Sequence, residues 1–390
     1  MTPDPIYHTG LKMRILVDYR PALRARTGVG EYMHELIRAY TAAYGDDVTV
    51  FSSSWKDRPD PRLATLLRAR VVDARVPVRL LNALWHRAGW PPVEWVAGSH
   101  DIVHAAHPLL IPTAAGAQVV TIHDLFFLSD PHQTRAEIRR DYPALAPLHA
   151  RRADAVITSS HHVQRLIVTE LHVDPDRIYV CPPGAPQWRT LGRAPHISAD
   201  GYILFVGTLE PRKNIGVLLD AYATLLTRLP DAPRLVLAGR AASGAQPWLD
   251  RLAAAPLRDR VLHLGYVAED RREEIYAGAR LLVLPSRDEG FGLPALEAMS
   301  AGIPVIVSNR GSLPEVVGSA GSFIDPDDVT GLAAAMERLL TDTAAAVRHA
   351  CAGLEQARRF SWAQTAADVH RAYVDAHARR QARLRRSPAR

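Results

Sequence analysis

Cysteine is almost absent from these 390 residues, with only Cys181 and Cys351 far apart in the chain. That spacing excludes a disulfide framework and a thiolate-rich zinc site, and it fits a reducing compartment. Lysine is nearly as scarce, at Lys12, Lys56 and Lys213. Arginine therefore carries the net charge of +6, part of it in the C-terminal ARRQARLRRSPAR. No apolar run approaches the roughly 18 residues of a membrane span. Nor do the first twenty residues or so pair a basic segment with an apolar core. Neither a transmembrane helix nor a signal peptide is expected, which places the protein in the cytoplasm or on the inner face of a membrane. The basic tail reads as a solvated helix end, with attraction to anionic lipid as the second reading. It lacks interleaved aromatics and any DNA-binding motif, so nucleic acid is not an expected partner. Also missing are a Walker lysine, a GxSxG elbow, an HExxH pair and a full GxGxxG. Those gaps disfavour P-loop hydrolysis, α/β-hydrolase chemistry, zinc peptidase chemistry and ordinary dinucleotide binding.

Short β-branched runs do alternate with amphipathic helical windows. MRILVDYR, VTVF, DIVHA, QVVTIHD, DAVITSS and RIYVCPP read as strands, with helices in EYMHELIRAYTAAY and near 135–150 and 160–171. That alternation implies α/β architecture with parallel sheets. Prolines and polar residues interrupt it over 182–200, which reads as an interdomain linker. The rhythm restarts with GYILFVGTLE, RLVLAGR, RVLHLGYV, ARLLVLPSR and IPVIVSN. Two doubly wound, Rossmann-like domains follow, 1–185 and 186–361. The helix at about 362–378 is long enough to return to the first domain, leaving 379–390 as a basic tail. Ligands of such sheets bind beyond the carboxyl ends of the strands, so two facing edges would make the site a cleft.

Four stretches fall at those edges. In RDEGFGLPALEAMSAG, a strand ends at Ser286, a glycine turn follows, and Pro294 suits the start of a helix over Pro294–Ala301. The free N–H groups and positive end of that helix form an anion site near Gly292 and Leu293. Gly290 and Gly292 let the backbone approach a ligand closely. Glu297, one turn into the helix, is placed for a diol such as a ribose, and Glu289 faces what lies beyond the phosphates. Either acid alone fits a dipole-complementing or surface role. In GTLEPRKNIG, Arg212 and Lys213 stand beside the start of another helix, where they complement a diphosphate. His123 and Asp124 close the strand QVVTI, and Gly28 and Gly30 in TGVGEY resemble a phosphate-contacting turn. Metal binding lacks a second ligand at suitable spacing. The acids of IDPDD read as a helix N-cap. Trp85, Trp90 and Trp95 read first as packing within a helix pair, and second as an acceptor- or membrane-facing patch.

Over about 13–378 the chain resembles a family 4 glycosyltransferase of the retaining GT-B type, through TGVGEY, TIHDL, VGTLEPRKN, LHLGYV, EGFGLPALE, GIPVIVSNRGSLPEV and the terminal FSW helix. HDLFFL and GTLEPRKN are closest in wording to bacterial mannosyltransferases. The resemblance implies transfer of a hexose, with mannose from GDP-mannose first, to a saccharide or lipid-linked hydroxyl with α-linkage. A UDP-sugar donor or a non-catalytic sugar-nucleotide module is the alternative. It further implies that Glu297 binds the ribose, that Glu289 and the backbone of Phe291, Gly292 and Leu293 hold sugar and phosphate, and that Arg212 and Lys213 neutralise the diphosphate. His123 would contact the transferred sugar and Gly30 would let the first loop close on the phosphates. The backbone at Tyr266 and Val267 would meet the base. No cofactor and no metal are implied. One departure stands out: Thr208 occupies a place where several relatives carry arginine.

Overall fold

The computed structural model describes residues 12–386 except 24, 25, 27, 132, 133, 135 and 199. Seven parallel strands build the first sheet: β1 (Arg14–Asp18), β2 (Asp47–Ser52), β3 (Arg70–Asp73), β4 (Ile102–Ala105), β5 (Ala117–Thr121), β6 (Ala155–Thr158) and β7 (Ile178–Val180). Their order is β3-β2-β1-β4-β5-β6-β7. Six build the second: β8 (Tyr202–Val206), β9 (Leu235–Ala238), β10 (Val261–Gly265), β11 (Ala279–Leu284), β12 (Val305–Ser308) and β13 (Ser322–Ile324), in the order β10-β9-β8-β11-β12-β13. Central strands such as LVLA and VIVS are buried along their length, as helices on both faces of a parallel sheet require. In each sheet the strand order reverses once, between β1 and β4 and between β8 and β11. Those two switch points open the crevices where such sheets bind ligands.

β3 and β13 were not expected from the sequence. They are edge strands of four and three residues whose side chains are mostly half-exposed or exposed, so they lack a buried hydrophobic run. The stretch 182–200 is also not a free spacer. Leu191 is buried in the second domain's core, Trp188 packs on that core, and Trp188 Nε1 donates to Ser300 Oγ at 2.8 Å.

The C-terminal helix runs Trp362–Arg386 and lays Ala366, Val369, Ala372, Tyr373 and Ala376 into the first domain's core. Polar contacts fix its register, including Tyr373 Oη to His104 Nδ1 at 2.7 Å and Tyr179 Oη to Asp375 at 2.7 Å. The basic tail is a helix end exposed over 381–386, as expected, yet it is also tied to the first domain. Arg379 donates to the Asp176 carbonyl at 2.7 Å, and Arg383 pairs with buried Asp154 at 2.6 Å. These arginines are helical and docked; residues 387–390 lie outside the described residues. The chain crosses between domains twice, side by side, with Ala185 N donating to the Phe360 carbonyl at 3.0 Å. No helix among the described residues is long and apolar enough to cross a membrane.

Candidate active site

After β8 the chain makes a short turn, Pro211–Lys213, and Asn214 takes a left-handed conformation at φ +58 before the helix Ile215–Arg228 begins. The Asn214 amide holds this turn by donating to the carbonyls of Pro285 and Pro326 at 3.1 and 2.6 Å. Lys213 is thereby directed inward and buried. Its Nζ donates to both Glu289 oxygens, at 2.6 and 2.7 Å, and Ser286 Oγ adds a bond of 2.7 Å. Arg212 stands 3.8 Å from the same carboxylate and is held by Glu210 at 3.0 Å. Burial opposes ionisation of Glu289, but the charges of Lys213 and Arg212 outweigh it and lower its pKa. The Glu289 carbonyl accepts from Ser312 N at 3.0 Å and Ser312 Oγ at 2.9 Å, so backbone and side chain are both anchored.

The following helix spans Leu293–Ser300, one residue earlier than expected. Gly292 sits just before it at φ +96, where a Cβ would lie 2.6 Å from Leu313. One turn in, Glu297 accepts from Tyr276 Oη at 2.6 Å and Arg272 Nη1 at 3.1 Å. Arg272 also reaches Glu31 of the first domain at 3.5 Å, and Arg26 pairs with Glu269 at 2.9 Å. Both ion pairs cross between domains.

From the first domain, His123 packs edge-on against Tyr32, with ring centroids 5.1 Å apart. Its Nε2 is buried with no hydrogen-bond partner among the described residues. Burial lowers its pKa to about 4, so the ring is neutral at ordinary pH. Asp124, next in sequence, has its pKa raised by burial against the opposing pull of Arg212. Activity between about pH 5.5 and 8 is therefore expected to carry no inflection from His123. A shoulder near about pH 6.5 in the pH–rate profile that disappears in His123→Gln would contradict that assignment.

These elements enclose a cleft of about 380 Å³ between the two sheets' carboxyl edges. His123, Lys213, Glu289, Arg212 and Glu297 line it, with Gly28 on the opposing wall. Phe291, Gly292, Leu293, Tyr266 and Val267 complete the expected set. Gly30 does not belong to it. It lies inside the helix Gly28–Ala43, where a Cβ would stand 2.6 Å from the Pro21 carbonyl, so packing on its own domain demands glycine there. Gly290 lines the cleft as expected, and it also meets the other domain. Its Cβ would stand 2.0 Å from the His123 carbonyl, and Ser160 Oγ donates to the Gly290 carbonyl at 2.7 Å. The glycine therefore serves contact between domains as well as forming part of the cleft wall. Gly290→Ala is expected to loosen that contact and reduce turnover at least tenfold while each domain stays folded. Small-angle scattering and kinetics on the same sample check this, and unchanged values for both would refute it.

Several cleft residues were not singled out from the sequence. Arg272 and Tyr276 sit in a charged stretch, EDRREEIYAG, that carries no edge signal. Arg240 ends the strand RLVLAGR, so its place at a carboxyl edge was a usable signal. The IDPDD acids cap as expected, with Asp328 accepting from Gly331 N at 2.8 Å. Among the described residues, no group of three or more His, Cys, Asp and Glu could hold a metal ion.

Two family models match the two halves. Residues 26–187 match Glycosyltransferase Family 4 and residues 200–342 match Glycosyl transferases group 1. The chain is a glycosyltransferase, with a family 4 domain followed by a group 1 domain. Escherichia coli O-antigen chain mannosyltransferase B is 29% identical over 392 residues, covering 93% of this chain and 99% of that protein. D-inositol 3-phosphate glycosyltransferase of Stackebrandtia nassauensis is 36% identical over 254 residues, 61% of this chain and 57% of that one. The serotype-specific mannosyltransferase WbdA of Escherichia coli is 38% identical over 169 residues, 43% of this chain but only 21% of WbdA. Among solved structures, sucrose-phosphate synthase from Thermosynechococcus elongatus superposes with TM-score 0.73 at 22% identity, covering 93% of this chain and 98% of that one. Anabaena HepE, solved with UDP and glucose, gives 0.68 at 20%, covering 92% and 98%. The glycosyltransferase therefore has the GT-B fold, two Rossmann-like domains facing across a cleft.

Proposed function

We propose that this glycosyltransferase moves mannose from GDP-mannose, with retention of the α configuration, to a hydroxyl of a saccharide or lipid-linked acceptor, without metal or cofactor. The observation that carries the proposal is the convergence of Lys213, Arg212 and the Leu293–Ser300 helix start at the β8/β11 switch point, facing His123 of the other domain. Relatives named mannosyltransferases, one matched over 93% of this chain and another over 43%, support mannose as the sugar.

In this scheme the bond between the sugar C1 and the diphosphate oxygen breaks first. The charge that develops on the leaving oxygen meets Lys213, Arg212 and the helix N–H groups, which are oriented before the reaction begins. The acceptor hydroxyl oxygen bonds to C1 on the face the diphosphate leaves, and its proton passes to the leaving phosphate oxygen. Glu289 is a poor candidate for a covalent nucleophile, since both its oxygens are engaged by Lys213. That favours the front-face route over a glycosyl-enzyme intermediate. Glu289 and the neutral His123 instead position sugar hydroxyls, and Glu297 receives the ribose. Trp85 is buried, whereas Trp90 and Trp95 are exposed and pack edge-on at 5.2 Å, which supports a peripheral membrane contact near a lipid-linked acceptor.

Turnover screened across GDP-, UDP- and dTDP-sugars tests the donor. GDP-mannose is expected to give the highest kcat/KM. Preference for a UDP-hexose would favour the second reading, which draws on HepE having been solved with UDP. Tight nucleotide binding with neither transfer nor hydrolysis of any donor would indicate a binding module.

A further inference from the structure

Arg240 follows Gly239 at the carboxyl end of β9, and Tyr266 follows Gly265 at the end of neighbouring β10. A Cβ at Gly239 would stand 1.8 Å from the Gly207 carbonyl, so the ends of β8 and β9 are drawn together. Arg240 thus stands one strand outward from the switch point. Its guanidinium lies 4.6 Å from the centroid of the Tyr266 ring. Among the described residues its side chain has no hydrogen bond or ion pair, although it lines the cleft. The other cleft arginines differ: Arg212, Arg272 and Arg26 are each held by acids. An arginine held over an aromatic ring, with its donors unengaged, is a prepared hydrogen-bonding fork.

The course of the donor follows from the strands. With the diphosphate at β8/β11 and the ribose at Glu297, the base falls at the β9/β10 edge, beside Tyr266 and Arg240. We propose that Arg240 reads the donor base and selects guanine by pairing its guanidinium with O6 and N7. Guanine offers those two acceptors side by side, adenine puts a donor next to N7, and uracil has no such pair of adjacent acceptors. This rests on the GDP-sugar proposal above. A different role also fits the position: Arg240 could replace the diphosphate arginine missing at Thr208. The direction of its side chain, towards Tyr266 rather than β8, favours the base.

The test measures dissociation constants of GDP, IDP, ADP and UDP for wild type, Arg240→Gln and Arg240→Ala, together with kcat/KM for GDP-mannose. IDP keeps O6 and N7 but lacks the exocyclic amine, so it isolates the proposed contact. Wild type is expected to bind GDP and IDP about 10–100-fold tighter than ADP and UDP, and both variants to lose that margin. Arg240 is exposed and unpaired, so both variants should melt as wild type does. An equal loss for all four nucleotides would mark a phosphate contact and overturn the proposal, as would unchanged selectivity. If wild type itself prefers UDP, the GDP-mannose reading falls as well. Turnover of GDP-mannose with unaltered selectivity in the variants removes only the role of Arg240.

Discussion

Lys213→Ala is expected to lower kcat by about 10²–10³-fold, the cost of removing one preorganised donor from a developing anion. It is also expected to destabilise the second domain. Glu289 is 5% exposed, and without Lys213 its charge keeps only Arg212 at 3.8 Å and the Ser286 hydroxyl. Breaking a buried pair by removing one partner costs about 3–5 kcal/mol. Replacing both partners together, as Lys213→Met with Glu289→Leu, should restore much of the melting temperature because no buried charge is orphaned. Activity should stay lost. Lys213→Ala turnover within about threefold of wild type would remove the lysine from charge stabilisation.

Glu289→Gln separates binding from chemistry. In the free enzyme Glu289 compensates the Lys213 charge, so its neutralisation leaves the ammonium free for the diphosphate. KM for the donor is expected to stay level or fall, while kcat drops about 10²-fold as the sugar loses its charged hydrogen-bond acceptor. Stability should shift with pH in a defined direction. The folded pKa of Glu289 is depressed, so its contribution is present above the unfolded value near 4.5 and is lost as pH falls through the folded value. Wild type should lose stability in acid more steeply than Glu289→Gln. Parallel acid-melting curves would show that the carboxylate is not held ionised by its partners.

Much of the site was legible because its chemistry is local. In EGFGLPALE the turn, the helix start and the second acid follow each other in sequence, so spacing alone places them on one strand edge. PRKN likewise carries its lysine and helix start together. What escaped depends on distant contacts. Gly290 is required by the His123 carbonyl, and Gly30 by the Pro21 carbonyl, and no motif reports either collision. Arg272 becomes a cleft residue only when Glu31 and Glu297 from separate domains meet it. The stretch 182–200 reads as linker by composition, yet Trp188 and Leu191 anchor it to the second core. Short edge strands such as β13 take their structure from a neighbour, here β12, rather than from their own sequence.

The most direct measurement is time-resolved proton NMR of GDP-mannose turnover by the full chain. Transfer or slow hydrolysis should release the mannosyl group first as the α-anomer, with Lys213→Ala suppressing the signal. A β-anomer appearing first, or no consumption of GDP-mannose while another nucleotide sugar is turned over, would contradict the account.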